Sequence, residues 1–382
     1  EAQKELYAQL LEHGPLPWKQ VVRHYARSNW RVIANQLVER RWATKSFQVL
    51  PPKVKPKLIP VVRVRAQPPE GAPLRSAKQK RIMEYLVARA DAGNEWMPLS
   101  QVAGDLQVTT AAVRALAKKG LLEVGERQIW RDPLEGRSFV PVIPPKLTHD
   151  QEAVWNAIAQ DLQMPGGRPF LLQGVTGSGK TEIYLRAVQR VLSRGQSAIV
   201  LVPEIALTPQ TIRRFGARFP ATMAVIHSHL SLGERYDQWR RLRNGELRLV
   251  IGSRSALFAP VRNLGLIVID EEHEWSYKQE RTPRYHAREV AVQLAKQAKA
   301  TCLLGSATPD VESTYRAQRG IYVGLVMPQR IMGHRGAIQE QSARLAREQQ
   351  RYRHIDQDPD EALYTELPPV EVVDMRAELR AG

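Results

Sequence analysis

The residues with the clearest chemistry form the run 174–181, which reads Gly-Val-Thr-Gly-Ser-Gly-Lys-Thr. Glycines at this spacing before a lysine and a threonine are typical of a phosphate-binding P-loop, whose backbone N–H groups surround a phosphate. We expect Lys180 to reach the β- and γ-phosphates and the Thr181 hydroxyl to ligate Mg²⁺. The predicted nucleotide-binding residues are Gly174, Val175, Thr176, Gly177, Ser178, Gly179, Lys180 and Thr181.

A second cluster is acidic: Asp270-Glu271-Glu272-His273 directly follows the apolar run 264–269. Such a run is typical of a buried parallel strand, and open α/β sheets bind ligands at the carboxyl ends of their strands. We expect Asp270 to hold the Mg²⁺ that Thr181 also ligates, and Glu271 to polarise the attacking water as general base. The chain is therefore predicted to hydrolyse ATP, with Glu271, Lys180 and Asp270 as catalytic residues.

A third apolar run, 300–304, ends in Gly-Ser-Ala-Thr-Pro at 305–309. Hydroxyl groups at this strand end lie close enough in the expected sheet to hydrogen-bond the acidic cluster. We predict that His273, Ser306 and Thr308 form a coupling element that passes the nucleotide state towards a second lobe.

These three clusters need strands that end at one edge of a sheet. The P-loop lies between a strand pattern at 169–173 and an amphipathic helix pattern at 182–192, and the other two clusters each end an apolar run. The arrangement predicts an α/β RecA-like P-loop lobe over residues 141–330, with a parallel sheet and helices on both faces.

The region before this lobe carries a weak internal repeat, at 3–42 and again at 80–123. Each copy reads as helix, turn, helix and short β-ribbon, the order of a winged-helix module. We predict two small winged-helix-like α+β modules, at 1–66 and 67–140, which bind DNA. The alternative is that one or both copies serve as spacers or protein contacts.

The chain's formal charge of +17 indicates a polyanionic partner. Residues 1–145 hold 24 lysines and arginines against 13 acidic residues, so most of the excess lies before the predicted lobe. Nucleic acid fits this distribution, although a solvated basic surface would look the same.

Aromatic and cationic residues alternate directly after the acidic cluster. Aromatic rings can stack on bases while neighbouring cations follow the backbone of single-stranded DNA. Such a loop could report DNA occupancy to Glu271, or it could instead be packed against the lobe. The residues in question are Trp275, Tyr277, Lys278, Arg281, Arg284, Tyr285 and Arg288.

Together the three clusters resemble those of the nucleic-acid-dependent motors of helicase superfamily 2. The run 270–279, followed by 284–288, resembles the PriA family of replication-restart DNA helicases, as do 202–210, 227–228 and 251–258. The resemblance spans about residues 146–309 and implies ATP-dependent 3′-to-5′ unwinding during primosome assembly at stalled forks. The partners it implies are single-stranded and forked DNA, other restart proteins and single-strand-binding proteins.

The resemblance also implies roles for single residues. Gln151 resembles the adenine-reading glutamine of helicase Q-type motifs, and Thr208, Gln210, Ser253 and Arg254 match positions that face the strand's phosphates. With the aromatic loop, the predicted DNA-binding set becomes Thr208, Gln210, Ser253, Arg254, Trp275, Tyr277, Lys278, Arg284 and Tyr285.

A complete member of that family carries a second RecA-like lobe with an arginine finger, and a cysteine-rich zinc module. Neither is visible here, so we expect a fragment, truncated at both ends, in which residues 331–382 form a linker and the start of the second lobe. Such a fragment should hydrolyse ATP poorly. Zinc is possible in the parent protein, but with Cys302 as the single cysteine no zinc site is expected in this chain.

The sequence contains neither a long apolar segment nor a signal peptide, which predicts a cytoplasmic protein with no membrane partner. Two alternatives to the helicase stay open. One is a non-catalytic DNA-binding clamp that uses ATP binding only, and the other is an RNA-directed superfamily 2 motor.

Overall fold

A computed structural model describes residues 2–17, 20–21, 30–46, 54–65, 76–91, 95–165, 167–334 and 362–365. Within these ranges no helix combines the length and the apolar character that crossing a membrane requires. The chain divides into two compact units, residues 1–53 and residues 54–382.

The first unit contains helix α1, Ala2–His13, and helix α2, Trp30–Glu39. Leu6, Val21 and Leu37 form its small buried core. The helices match the helical part of the first predicted repeat. The strand expected to complete that repeat, however, lies in the second unit.

The second unit begins with a mixed module. Its elements are strand β1, Lys57–Val64; helix α3, Ala77–Asp91; strand β2, Met97–Pro98; helix α4, Leu99–Asp105; helix α5, Thr110–Lys118; and strand β3, Leu122–Ile129. The strands form an antiparallel sheet in the order β2-β1-β3, and β1 pairs with β3 from Lys57↔Ile129 to Val64↔Leu122. Val62 of β1 is buried against Ile82 and Leu116.

The division between the units corrects one predicted boundary. We placed residues 57–64 in a first module ending at 66, but their pairing with β3 makes them the central strand of the second module. The boundary between compact units lies at 53/54. Sequence alone gave no signal for this because the partner strand is about 65 residues further along. The winged-helix assignment of both modules stays a prediction.

The lobe that follows is built on a seven-stranded parallel sheet. Its strands are β4, Phe170–Gly174; β5, Ser197–Leu201; β6, Met223–Ile226; β7, Leu249–Gly252; β8, Leu264–Asp270; β11, Thr301–Ser306; and β12, Val323–Met327. Their order is β12-β4-β11-β8-β5-β7-β6. The P-loop strand and the acidic strand therefore both border β11, the strand that ends in Ser306.

Helices connect these strands. They are α6, His149–Asp161; α7, Lys180–Ser193; α8, Pro209–Arg218; α9, Leu232–Asn244; α10, Ala287–Ala298; and α11, Val311–Gln318. Strands β9, Lys278–Gln279, and β10, Tyr285–His286, pair as a short ribbon after the acidic cluster, and β13, Arg330–His334, pairs with β14, Ala362–Thr365. The remainder of the predicted linker, 335–361 and 366–382, lies outside the described residues.

Both faces of the seven-stranded sheet are buried, as its continuous apolar strands predict. Leu172, Val268 and Leu303 belong to the core on one face, while Ile267 and Leu304 belong to the core on the other. The α/β RecA-like lobe predicted from the sequence is confirmed.

The second module contacts this lobe through the segment that follows β3. Asp237 on α9 is fully buried and accepts hydrogen bonds from the backbone N–H of Arg131 (3.0 Å) and from its Nε (2.8 Å). Arg241 pairs with Asp132 at 2.6 Å. The Phe139 ring lies against Gly216 of α8, where a Cβ would overlap it. Polar and apolar contacts together thus attach this segment to the lobe.

Substitution of Asp237 tests this attachment. Asp237→Ala is expected to lower the free energy of unfolding by about 2–3 kcal/mol, because it leaves the backbone N–H and the Nε–H of Arg131 without their acceptor. Urea unfolding followed by circular dichroism measures the change. Glu123→Ala, which removes an exposed partner of Arg63, is the control and should cost about 1 kcal/mol or less. Equal losses in both variants would contradict the assigned role of Asp237.

Candidate nucleotide and catalytic site

The P-loop connects the end of β4 to the start of α7. Gly177 and Gly179 have φ angles of 84° and 90°, in the left-handed region that favours glycine. A Cβ on Gly179 would collide with Nε2 of Gln151, and one on Gly177 would come within 3.1 Å of Cγ of Arg330. The two glycines therefore allow the backbone to turn and the side chains of Gln151 and Arg330 to approach it closely.

The chain that leaves the lobe is bonded to this loop. The backbone N–H of Ile331 donates to the carbonyl of Gly177 at 3.0 Å, and the N–H of Val175 donates to the carbonyl of Met327 at 3.3 Å. Residues 327–331 thus run directly alongside the P-loop.

Lys180 occupies the floor of the site. Its Nζ donates to the Gly174 carbonyl at 2.7 Å and lies 4.0 Å from Oε1 of Glu271, and the side chain is buried. Lys180, Thr181, Asp270 and Glu271 all line one cavity of about 510 Å³. The structure therefore brings the P-loop and the acidic cluster to the same cavity.

Asp270 is held by two tyrosines. The Tyr184 hydroxyl donates to Oδ1 of Asp270 at 3.0 Å, and the Tyr277 hydroxyl donates to its backbone carbonyl at 2.7 Å. Burial raises the pKa of Asp270 to about 6 and the Glu271 carboxylate adds to the rise, while Tyr184 and Lys180 act against it. A cation beside Asp270 would favour its ionised form.

Tyr184 and Gly305 have roles at this site that were not predicted from the sequence. Gly305 of β11 lies opposite Asp270 in the sheet, and a Cβ on it would overlap the Tyr184 hydroxyl. The hydroxyl therefore crosses β11 at a residue with no side chain. One signal was available, because Tyr184 lies one helical turn after Lys180 and so shares its face of α7.

Glu271 has a φ of 46°, the left-handed conformation, which costs a residue other than glycine about 1–3 kcal/mol. Neighbouring hydrogen bonds hold it there: the N–H of Glu272 donates to the Gly305 carbonyl at 3.0 Å, and that of Glu274 to the Glu271 carbonyl at 2.9 Å. Oε2 of Glu271 lies 3.6 Å from Nδ1 of His273. The candidate general base thus has a fixed backbone.

The predicted coupling residues lie together. Nδ1 of His273 and the Ser306 hydroxyl are 2.7 Å apart, and the same hydroxyl accepts a hydrogen bond from the N–H of Thr308 at 3.0 Å. The end of β11 is therefore joined to the acidic cluster by a side-chain contact. That this contact passes on the nucleotide state stays a prediction.

Gln151 braces the P-loop. Its Nε2 donates to the Ser178 carbonyl at 3.1 Å, and its Oε1 accepts from the N–H of Thr148 at 3.0 Å. Thr148 is the N-cap of α6, and the Gln151 side chain completes the capping box. Both ends of the Gln151 amide thus have protein partners, and the predicted adenine contact would require an exchange of these partners.

The oxygen atoms at the site fit Mg²⁺. The Thr181 hydroxyl and the Asp270 carboxylate are partly buried oxygen ligands that line one cavity. The buried Ser178 hydroxyl has no hydrogen-bond partner among the described residues. Mg²⁺ is usually held by one or two protein oxygens together with substrate phosphates. Thr181 and Asp270 are the two side chains here that would serve in this way.

Several of the predicted DNA-binding side chains are exposed. Trp275 has 78% of its surface accessible, and Thr208 caps α8 by accepting from the N–H of Thr211. Gln210, Lys278 and Arg284 are exposed as well. Their DNA contacts stay predictions.

Other members of that set are occupied within the protein. Ser253 is buried, and a guanidinium nitrogen of Arg254 donates to the carbonyls of Ser276 and Lys278, at 2.8 Å each. Tyr285 is half-buried, with its ring edge-on to Phe258 at 5.2 Å. These contacts reduce the surface that each side chain offers to DNA.

Two residues of the aromatic run correct the sequence analysis. Tyr277 is 1% exposed because its ring belongs to the core between β8 and α10, so it does not stack on a base in this conformation. Arg288 is 4% exposed and paired with the buried carboxylate of Glu272. Their positions in an alternating aromatic and basic run concealed the fact that both side chains point inwards.

Residues 148–317 match the DEAD/DEAH box helicase family, which is the class of protein that the lobe and its acidic cluster define. The chain is 42% identical over 317 residues to Replication restart protein PriA of Bacillus subtilis (strain 168), covering 83% of this chain and 35% of that protein. It is 37% identical over 350 residues to Replication restart protein PriA of Synechocystis, covering 91% and 37%. The chain belongs to the PriA family of superfamily 2 helicases and spans about a third of the length of these relatives.

A solved structure of RecG bound to a three-way DNA junction is 26% identical, with a TM-score of 0.38 over 49% of this chain and 24% of that chain.

The contact between Tyr184 and Gly305 yields a prediction. Gly305→Ala should cost about 1–3 kcal/mol of stability because the new methyl group displaces the Tyr184 hydroxyl. Gly324→Ala on β12 is a matched control, since its Cβ would meet only Ala317 at an ordinary 3.8 Å. Adding Tyr184→Phe to Gly305→Ala removes the closest atom and should recover part of the loss. Thermal unfolding measures the stability of all three variants. Equal losses of stability in Gly305→Ala and Gly324→Ala would count against this packing.

Proposed function

We propose that this chain carries the first ATPase lobe of a 3′-to-5′ DNA helicase that acts in replication restart, at primosome assembly on stalled forks. The observation that supports ATP hydrolysis is the convergence of Lys180, Thr181, Asp270 and Glu271 on one cavity. The process is proposed from the relatives, whose names state replication restart.

In this proposal the side chains divide the work. Lys180, which now bonds to the Gly174 carbonyl, exchanges it for phosphate oxygens of ATP. Thr181 and Asp270 would hold Mg²⁺, which would supply positive charge to offset that of the phosphate oxygens. Glu271 orients the attacking water and accepts its proton at the carboxylate. The fixed backbone of Glu271 keeps that carboxylate directed at the cavity.

Full activity requires more than this lobe. Superfamily 2 ATPases close the site between two lobes, and an arginine from the far lobe contributes about 10³ to 10⁵ in rate where such fingers are known. We therefore propose that residues 331–382 lead into a second lobe and that this chain alone hydrolyses ATP poorly. Any zinc module would also belong to the parent protein.

The proposed partners are single-stranded and forked DNA, together with other restart proteins and single-strand-binding proteins. A chromosomal DNA substrate would place the protein in the cytoplasm of a bacterium. Thr208, Gln210 and Trp275, which are all exposed, are the proposed contacts to the strand. Lys278 and Arg284 extend that surface.

Two substitutions test hydrolysis in the full-length protein. Lys180→Ala should abolish ATPase activity by removing the phosphate contact, and Glu271→Gln should reduce kcat by about 10²- to 10⁴-fold because a general base is lost. Glu152→Gln, an exposed carboxylate in the first turn of α6, makes the same charge change at a side chain that does not line the cavity and should have no effect. Steady-state phosphate release with and without single-stranded DNA is the measurement.

The results separate the alternatives. Turnover that DNA stimulates and that both variants lose supports the motor. Nucleotide binding without DNA-dependent turnover favours the clamp, and equal stimulation by RNA and DNA favours an RNA-directed motor.

The second module generates a further prediction. Arg114 and Lys118 are exposed on α5, the helix that a winged-helix module places in a DNA groove. Replacing both with glutamine should weaken duplex binding and reduce the slope of log K against log salt by about 2, since each phosphate contact adds about 0.9. Arg190→Gln, an exposed arginine on α7, is the control. A slope unchanged in a fluorescence-anisotropy titration would assign the module to spacing or protein contacts.

A further inference from the structure

The third residue of the acidic cluster has no role in the mechanism above, yet it is the most deeply enclosed. Glu272 is fully buried. Its carboxylate accepts hydrogen bonds from Arg288 Nη1, from the N–H of Asp310 and from the Ser313 hydroxyl, each at 2.8 Å. A buried carboxylate with three hydrogen-bond donors is fixed in position.

Arg288 supplies the countercharge and links further elements. Its side chain is 5% exposed, and its guanidinium lies 3.1 Å from Glu312 and 3.5 Å from Asp310. The planar fork of arginine suits several carboxylates at once. One guanidinium therefore connects the acidic cluster, the start of α10 and the start of α11.

Glu272 and Arg288 lie at the two ends of one loop. Glu272 directly follows the candidate base Glu271, and Arg288 lies in the first turn of α10. Between them runs the aromatic loop, defined here as residues 274–286, whose two ends the pair joins. The loop exposes Trp275 and Arg284 at its surface, while Tyr277 anchors it to the carbonyl of Asp270.

We propose that the ion pair between Glu272 and Arg288 is a positioning element, which transmits displacement of the aromatic loop to the backbone of Glu271. This inference rests on the proposed function, because it explains how a DNA strand on the loop would act on hydrolysis. Arg288 lies in the first turn of α10, the helix that directly follows the loop. A displacement of the loop therefore moves the Arg288 guanidinium. Glu272 then carries the shift to its neighbour.

The backbone at Glu271 is suited to respond. Its left-handed conformation is held by the N–H groups of Glu272 and Glu274, so a movement of Glu272 changes the direction of the Glu271 carboxylate. The Glu272 carboxylate also accepts a hydrogen bond from the N–H of Asp310, which lies next to the turn that carries Thr308. Both loops that border the acidic cluster thus meet at one carboxylate.

The test uses the full-length protein and the single variant Arg288→Gln. DNA-stimulated kcat should fall about 10-fold or more, since a misplaced catalytic group loses up to 10² in rate. KM for ATP and the affinity for single-stranded DNA should each stay within about twofold, because neither phosphate nor strand contacts change. A merely structural defect would not separate these quantities.

Arg316→Gln is a matched control. Arg316 is an arginine of α11 that pairs with Glu289 and Glu312, two of the acidic neighbours of Arg288, without contacting Glu272. The Arg316→Gln variant should keep the stimulation of its ATPase activity by DNA. Loss of stimulation in this variant as well would indicate a general effect of surface charge and would overturn the proposal.

A second variant separates coupling from stability. Removing one partner of a buried pair leaves an uncompensated charge, whereas replacing both is often tolerated. The double variant Glu272→Gln/Arg288→Met should therefore unfold at a higher temperature than Arg288→Gln but remain unresponsive to DNA. Recovery of the response together with stability would show that the pair only supports folding, and would overturn the proposal.

The inference and the proposed function fail in different ways. A wild-type protein whose hydrolysis ignores DNA would reject the proposed function and, with it, the inference. A wild-type protein that responds to DNA, with an Arg288→Gln variant that responds equally, would reject the inference alone.

Discussion

The site depends on the close approach of α7 to the strand between the P-loop and the acidic cluster. β11 lies between β4 and β8, so the nucleotide loop and the carboxylates are separated by one strand width. Tyr184 spans this gap at Gly305 and bonds to Asp270. Burial and the neighbouring carboxylate raise the pKa of Tyr184 well above its usual value, so the hydroxyl remains a donor to that carboxylate. This crossing gives the two halves of the site a direct side-chain link, beside the contact of Lys180 with Glu271 at 4.0 Å.

Much of the lobe was predictable because its signals are local. The glycine spacing of the P-loop and the apolar runs before Asp270 and Ser306 each place a residue type at a strand end. Parallel sheets then bring those ends to one edge. The four residues of the predicted magnesium and triphosphate site line one cavity for that reason.

What the sequence concealed depends on contacts between distant residues. Tyr277 and Arg288 look like a stacking ring and a strand-binding cation, but they turn inwards to the Asp270 carbonyl and the Glu272 carboxylate. Gln151 has the spacing of a capping residue as well as that of a base reader, and the structure uses it to cap α6 and brace the loop. The strand at 57–64 was assigned to the wrong module because its partner is far along the chain. Composition cannot resolve which way a side chain faces.

The bond between Ile331 and Gly177 gives the lobe a mechanical property of its own. The P-loop is flanked on one side by the chain that departs from the last strand of the sheet, and the two backbones share a hydrogen bond. Any adjustment of the loop around a ligand must either break this bond or swing the departing chain with it. A ligand that shifts the loop while leaving this bond intact would therefore move the backbone at Ile331 directly, without a side chain between them.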